Sequence, residues 1–306
     1  MVNIYRWGSR YGGNDWCFVR TPADYRETGK PHELVILNHG NGWIMDGTEA
    51  TANFSEKTQF GVDSQNGGEY LNTNRPDYVQ YSNPLIEALL AEGFVVAGAQ
   101  NDGQNYSEGS AGYGNEETRT NIIDFVSHCQ RNYNVTDYCH MIGASNGCLA
   151  TLNVAMITPP GFIRSVTLLY PLISLYYAWK VSHNYGVRMA YPGATSFSQF
   201  TDITRGHDPL TFQVTRTNLV SWTNESDYAN DASQPVTIYK STAISWPRIY
   251  CIHSPNDTVT PSANHWVPFK KLLLRSHCKH LEKIVAGQHG DYRHFDVASI
   301  ISWIKR

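Results

Sequence analysis

The order of apolar runs along this chain predicts an α/β fold built on a mostly parallel sheet with helices on both faces. Two observations carry that prediction. From residue 34 onward, short apolar runs of strand length alternate with longer amphipathic stretches of helical spacing. Several of the short runs are apolar throughout, as strands covered on both faces must be. With 306 residues, the chain is also long enough to bury the large core that such a sheet needs.

Taken in order, the elements are these. Residues 1–33 carry two leading strands, in "NIYRW" and "DWCFVR". "LVILNHG" (34–40) is a buried strand ending at Gly40. A long polar connection rich in Gly and Asn follows at 43–82. "NPLIEALLAEG" (83–93) is a helix stopped by Gly93, and "FVVAGAQ" (94–100) is a strand. "ETRTNIIDFVSHCQRNY" (117–133) is an amphipathic helix, "YCHMIGA" (138–144) a strand and "NGCLATLNVAM" (146–156) a helix. "IRSVTLLYP" (163–171) is a strand stopped by Pro171. Residues 175–246 show no strong periodicity and hold many aromatics, Tyr176, Trp179 and Trp222 among them; segments of this kind are usually lids or binding loops. The rhythm returns with a strand at "PRIYCIHS" (247–254) and a helix at 263–277 that accepts Pro268 near its start. "LEKIVAG" (281–287) is a strand, and "FDVASIISWIKR" (295–306) is the closing helix.

Composition removes several function classes. Net charge is −3, with charged residues at 17%, so the chain has no basic excess of the kind that phosphate backbones attract. No run approaches the roughly 18 apolar residues of a membrane helix. The opening "MVNIYRWGSR" has no apolar signal-peptide core, so a cytoplasmic location is expected, with secretion and a virion surface left open. Six cysteines without a C-x-x-C pair predict neither a disulfide scaffold nor a metal site, although a bridge involving Cys17, Cys129 or Cys278 stays open. The 19 Tyr and 8 Trp are a weak pointer to sugar or aryl ligands.

In parallel sheets chemistry sits at the carboxyl ends of the strands, and there the sequence is informative. "GASNG" (143–147) fits G-x-S-x-G, with a strand before it and a helix after it. An abrupt strand-to-helix turn crowds its neighbours. Gly143 and Gly147 relieve the crowding and leave the Ser145 hydroxyl exposed as a nucleophile. Asp257 in "CIHSPNDTVTP" follows the next-to-last strand as the expected acid; the competing reading is an ordinary Asx turn. His289 in "VAGQHGDYRH", between Gly287 and Gly290, follows the last strand as the expected base. His294 is its competitor, placed where the closing helix should begin. Asp257 would orient His289, and His289 would take the Ser145 proton. The backbone N–H of Asn146 and an amide of "NHGNGW" (38–43), with Asn41 favoured, would receive the oxyanion. His39 is expected to brace that loop rather than act as a base.

"HGNG", "GASNG", "SPNDTVTP" and "AGQHGD", in that order and at those strand ends, resemble the oxyanion loop, nucleophile elbow, acid loop and histidine loop of the α/β-hydrolase superfamily. The resemblance covers residues 34 to 306 and is to serine esterase-like members. It implies an eight-stranded, mostly parallel sheet whose first strands are antiparallel. Residues 1–174 and 247–306 would form the core domain, and 175–246 a cap inserted after the sixth strand.

Three functions are compatible with these motifs. The first is hydrolysis of carboxylic esters through an acyl-enzyme, without metal or organic cofactor, the ester being an aryl ester or an acyl group on a sugar. The second is a serine peptidase of the prolyl-oligopeptidase type; 33 residues before the first core strand are too few for the propeller those enzymes carry. Its amine-gripping carboxylate would be Glu225, Asp227 or Asp231. The third is a non-catalytic binding module on a hydrolase scaffold, a reading weakened by the presence of all three triad residues. The expected partner is a small or carbohydrate-borne ester, with no nucleic acid and no membrane span; oligomeric state is not addressed by the sequence.

Overall fold

The computed structural model describes residues 2–8, 14–40, 84–99, 114–180, 196–199, 208–210 and 244–306. The strands are β1 (Val2–Gly8), β2 (Asn14–Arg20), β3 (His32–Asn38), β4 (Val95–Ala99), β5 (Val135–Ala144), β6 (Ile163–Leu169), β7 (Arg248–His253) and β8 (His280–Ile284). They form one sheet of eight strands in the order β1-β2-β4-β3-β5-β6-β7-β8. The pairings β1–β2 and β2–β4 are antiparallel, and all the others are parallel. The described helices are α1 (Pro84–Ala91), α2 (Glu116–Asn132), α3 (Asn146–Ile157), α4 (Leu175–Lys180), α5 (Trp266–Arg275) and α6 (Val297–Ile304).

The sheet separates two apolar layers. One holds Val19, Leu34, Ile36 and Met141 against Phe125 of α2, Leu152 of α3 and Phe269 of α5. The other holds Val35, Leu37, Ile142 and Ile252 against Leu85 and Leu89 of α1 and Trp303 of α6. Successive residues of β3 thus serve opposite faces, as the pleat requires. Each such side chain stabilises the fold by about 1.5–3 kcal/mol on burial. Local chemistry sets the helix limits. The Asn115 side chain accepts from the Thr118 N–H at 2.8 Å to open α2, and Gly93, at φ +85°, stops the chain after α1.

Some boundaries differ from the sequence-based expectations. β5 begins three residues before the expected "YCHMIGA", because the polar stretch Val135–Asp137 continues the ladder at the half-exposed end of the sheet. β8 stops at Ile284 rather than at Gly287. A 3₁₀ turn (Tyr292–His294) precedes α6, so His294 lies before the closing helix and not at its start. None of the six cysteines is joined in a disulfide, so the bridge left open at Cys17, Cys129 or Cys278 is not made. Cys17, Cys129 and Cys139 are buried in one apolar layer, where burial raises the Cys129 and Cys139 thiols and leaves them as small hydrophobes.

What matters for function is the register. Asn38 lies beside Gly143, Ala144 beside Leu169, Leu169 beside Ile252, and His253 beside Ile284. Five parallel strands therefore end nearly level, and the loops that leave them share one rim.

Candidate active site

Ser145 is the single residue between β5 and α3. Its backbone lies at φ 52°, ψ −119°, a conformation that L residues rarely adopt and that persists only where its surroundings enforce it. The enforcement is visible. The Ser145 N–H donates to the Leu169 carbonyl at 3.0 Å, and its carbonyl accepts from the Cys148 and Leu172 N–H groups at 3.0 and 3.1 Å. The glycines on either side are there for space. A Cβ on Gly147 would stand 2.1 Å from the Asn38 carbonyl oxygen, and one on Gly143 2.7 Å from the Gly147 oxygen. Any side chain at Gly147 would push the start of α3 off the end of β3.

Asp257 lies in the turn after β7 and is 3% exposed. The turn and the contact to the histidine are compatible, because the two carboxylate oxygens face different partners. Oδ1 accepts from the N–H groups of Val259 and Thr260 at 2.9 and 2.8 Å, and so forms the turn. Oδ2 accepts from His289 Nδ1 at 2.8 Å. Burial pushes this carboxyl up, but the adjoining His289 and the Thr260 donors outweigh it together and hold the pKa at about 2. Asp257 is therefore an anion at neutral pH.

His289 completes the line. Its Nε2 is 2.8 Å from Ser145 Oγ, and its Nδ1 faces Asp257. With Nδ1–H committed to a carboxylate, the neutral ring presents its lone pair to the serine hydroxyl, which donates to it. Gly287, at φ +125°, lets the loop turn tightly, and its carbonyl accepts from Ser254 Oγ at 2.7 Å, tying the histidine loop to the acid loop. His294 has a different place. It is fully buried, its Nδ1 donates to the Asp291 carbonyl at 2.9 Å, and its ring packs edge-on against Tyr170.

The expected oxyanion donors are unequally described. Asn146 is the first residue of α3, directly after Ser145, where the helix N-terminus favours negative charge. Asn41 lies outside the described residues, as do Glu225, Asp227 and Asp231. The loop is seen up to Gly40, whose carbonyl accepts from Nδ1–H of the fully buried His39 at 2.8 Å. Burial lowers His39 to a pKa of about 4, so it is neutral near pH 7 and holds the Gly40 carbonyl through Nδ1–H. Most of the 175–246 insert also lies outside the described residues. Its described start, α4, is capped twice: Ser174 Oγ accepts from the Tyr177 N–H, and Asp208 Oδ2 from the Tyr176 N–H.

Sequence reasoning missed three residues here. Tyr170, at φ 38°, packs its ring edge-on against His289 at 4.9 Å between centroids. Thr260 Oγ1 lies within hydrogen-bond distance of Asp257 Oδ2 and of His289 Nδ1. His265 is buried and accepts the N–H groups of Ile173 and Ser174 at Nδ1 (3.2 and 3.0 Å), which holds the turn that grips the Ser145 carbonyl. A hydroxyl three residues after the acid was a readable signal for Thr260; Tyr170 and His265 carry none. Among the described residues no group of three or more His, Cys, Asp or Glu is placed to hold a metal ion, and no helix is long and apolar enough to cross a membrane.

No protein-family model matches the sequence, and no curated protein matches it. Solved structures do match in shape. An S-formylglutathione hydrolase from Staphylococcus aureus superposes over 100% of both chains with a TM-score of 0.60 at 14% identity. The acylaminoacyl peptidase of Pyrococcus horikoshii superposes over 100% of this chain with a TM-score of 0.58 at 14% identity, and this chain spans 41% of its length. A sugar hydrolase from Lactococcus lactis superposes over 99% of this chain and 98% of its own, with a TM-score of 0.52 at 15% identity. At such identities the likeness concerns the path of the backbone. That likeness, the sheet order and the strand-to-helix turn at Ser145 agree, and the chain has the α/β-hydrolase fold.

Proposed function

We propose that the chain is a serine hydrolase that cleaves carboxylic esters through an acyl-enzyme formed on Ser145. The observation that carries this reading is the unbroken line from Ser145 Oγ to His289 Nε2, 2.8 Å, and from His289 Nδ1 to Asp257 Oδ2, 2.8 Å. Each residue comes from a different strand-end loop, and the nucleophile sits on strained backbone at a helix N-terminus.

In the acylation step the Ser145 oxygen attacks the ester carbonyl while its proton moves to His289 Nε2. The imidazolium that forms is stabilised by Asp257, which keeps its charge throughout. The oxyanion is received by the Asn146 N–H and by an amide of the loop after Gly40, at Asn41. Collapse expels the alcohol, which takes the proton back from Nε2. Water then repeats the sequence on the acyl-enzyme, giving ping-pong kinetics.

The solved structures support a hydrolase at this site and divide between ester and peptide chemistry in their names. S-formylglutathione hydrolase and sugar hydrolase stand on one side, acylaminoacyl peptidase on the other. The abundance of Tyr and Trp inclines the reading toward aryl or sugar-borne acyl esters. A fluorophosphonate probe tests the nucleophile: it should label the wild-type chain and leave Ser145→Ala unlabelled. Labelling that survives the substitution defeats the assignment. A panel of short and long acyl esters, acetylated and feruloylated sugars and aminoacyl amides tests the substrate. A strong preference for the amides replaces the esterase reading by the peptidase one.

A further inference from the structure

The site holds a hydroxyl that the three-residue line does not use. Thr260 Oγ1 lies 2.9 Å from Asp257 Oδ2, 3.2 Å from His289 Nδ1 and 3.2 Å from the Tyr170 carbonyl oxygen, and the residue is 5% exposed. We propose that Thr260 is a positioning residue that sets the geometry of the Asp257–His289 pair, a proposal that rests on the serine-hydrolase reading of Ser145.

The argument is one of valence. A hydroxyl carries one proton, so Thr260 donates either to Asp257 Oδ2 or to the Tyr170 carbonyl, and its lone pairs are free for the other side. His289 Nδ1–H points between Asp257 Oδ2 at 2.8 Å and Thr260 Oγ1 at 3.2 Å, with the nearer carboxylate as main acceptor and the hydroxyl as the second. While the ring is neutral, the hydroxyl donates to the carboxylate and shares its negative charge. Once His289 takes the serine proton, the hydroxyl turns to the Tyr170 carbonyl. Asp257 Oδ2 is then left wholly to the imidazolium, and an oxygen lone pair turns toward Nδ1–H. No bond other than hydrogen bonds changes, and no proton leaves Thr260.

Two further observations fit this role. Tyr170 lies at φ 38°, a conformation rare for a bulky residue, and it meets both ends of the arrangement: its carbonyl accepts from Thr260 and its ring packs edge-on against His289. In addition, the Asp257 carboxylate cannot rotate freely, because Oδ1 is already held by two backbone N–H groups. The hydroxyl therefore acts on the one oxygen that meets the histidine.

The experiment compares steady-state hydrolysis of p-nitrophenyl acetate by the wild-type chain, Thr260→Val and Thr260→Ser. Valine keeps the shape and deletes the hydroxyl; serine keeps the hydroxyl. Thr260→Val should lower kcat by roughly 10- to 100-fold, the range expected when reacting groups lose alignment, with KM within about twofold. Thr260→Ser should recover most of that loss. Thr260→Ala carries the same expectation as valine and replaces it if the valine variant does not fold. Wild-type kcat in a folded Thr260→Val or Thr260→Ala overturns the proposal. So does a serine variant as impaired as the valine one, which would assign the effect to packing of the methyl. Fluorophosphonate labelling of the wild type separates the two claims. Failure to label defeats the reading of Ser145, whereas normal labelling with an indifferent Thr260 defeats the positioning role alone.

Discussion

The same three kinds of side chain meet at both ends of this sheet. At the carboxyl rim, His289 lies between Ser145 and Asp257. At the opposite end, His140 of β5 lies between Ser165 of β6 and Glu33 of β3, with Nδ1 2.7 Å from Ser165 Oγ and Nε2 3.3 Å from Glu33 Oε2. Tyr138 adds its hydroxyl to Glu33 at 2.7 Å, and Arg164 lies within 3.3 Å of the same carboxylate.

Residue types alone do not separate a catalytic array from a structural one. Position does. Ser165 is fully buried within β6, on regular strand backbone and paired in the ladder with His140 on one side and Arg248 on the other. His140 is likewise sealed, and burial lowers its pKa despite the carboxylate. Ser145 occupies strained backbone at the head of α3, and the side chain of its histidine keeps 19% of its surface open. The buried group cross-links three strands; the rim group can meet a substrate.

The largest test of that contrast is at the acids. Asp257→Asn should leave the fold intact and lower turnover by roughly 10⁴-fold, the loss seen when a triad histidine is set in the wrong tautomer. Glu33→Gln and Ser165→Ala should leave kcat/KM unchanged per folded molecule and lower only the melting temperature. A turnover loss at Ser165 comparable to that at Asp257 would break the comparison.

Glycine substitutions should sort in the same way. Gly147→Ala places a Cβ 2.1 Å from the Asn38 carbonyl oxygen and should destabilise by roughly 3 kcal/mol, with activity lost through displacement of the elbow. Gly161→Ala, in the turn before β6, meets nothing within 4 Å and bears only the penalty of φ +94°, about 1–2 kcal/mol. Denaturant unfolding and turnover measured together distinguish the two.

The last test concerns pH. Burial lowers His39 to a pKa of about 4 and His265 to about 3, from an ordinary 6.5. As pH falls through 6.5 the unfolded chain binds protons that the folded chain refuses, so the stability these groups contribute is present above 6.5 and lost below it. Between pH 6.5 and 4 each histidine should subtract about 1.4 kcal/mol per pH unit, and His265→Gln should flatten its share of the slope. Equal slopes for variant and wild type would remove His265 from the acid response.

Much of the fold was legible because its signals are local. The run "LVILN" reads as a strand from its own composition, and Gly93 marks a helix limit by its own backbone preference. The turn at Ser145 was legible too, because the crowding that Gly143 and Gly147 relieve arises within five residues and at the adjoining end of β3. That Asp257 and His289 lie in strand-end loops near Ser145 was legible through the order of strand ends. Whether Cys17 and Cys129 join in a bridge was not, because proximity in one apolar layer says nothing of bridging geometry until the layer is built. Nor were Tyr170 and His265 legible as parts of the site, since Tyr170 meets Thr260 and His265 meets Ile173 and Ser174 about 90 residues away along the chain; Thr260 left a signal only through its short spacing from Asp257.

What the sequence determined by itself was the set of strands and helices, the strained turn and the chemical types available at the strand ends. Pattern, turn residues and glycine placement act over a few residues and need no distant partner. The tertiary structure alone decided which of two Ser–His–carboxylate groups reaches the surface. It also decided how Asp257 divides its oxygens, and that Thr260 and Tyr170 stand beside His289. Those outcomes depend on register: parallel strands paired so that they end level bring together loops whose chemistry is otherwise spread over more than a hundred residues.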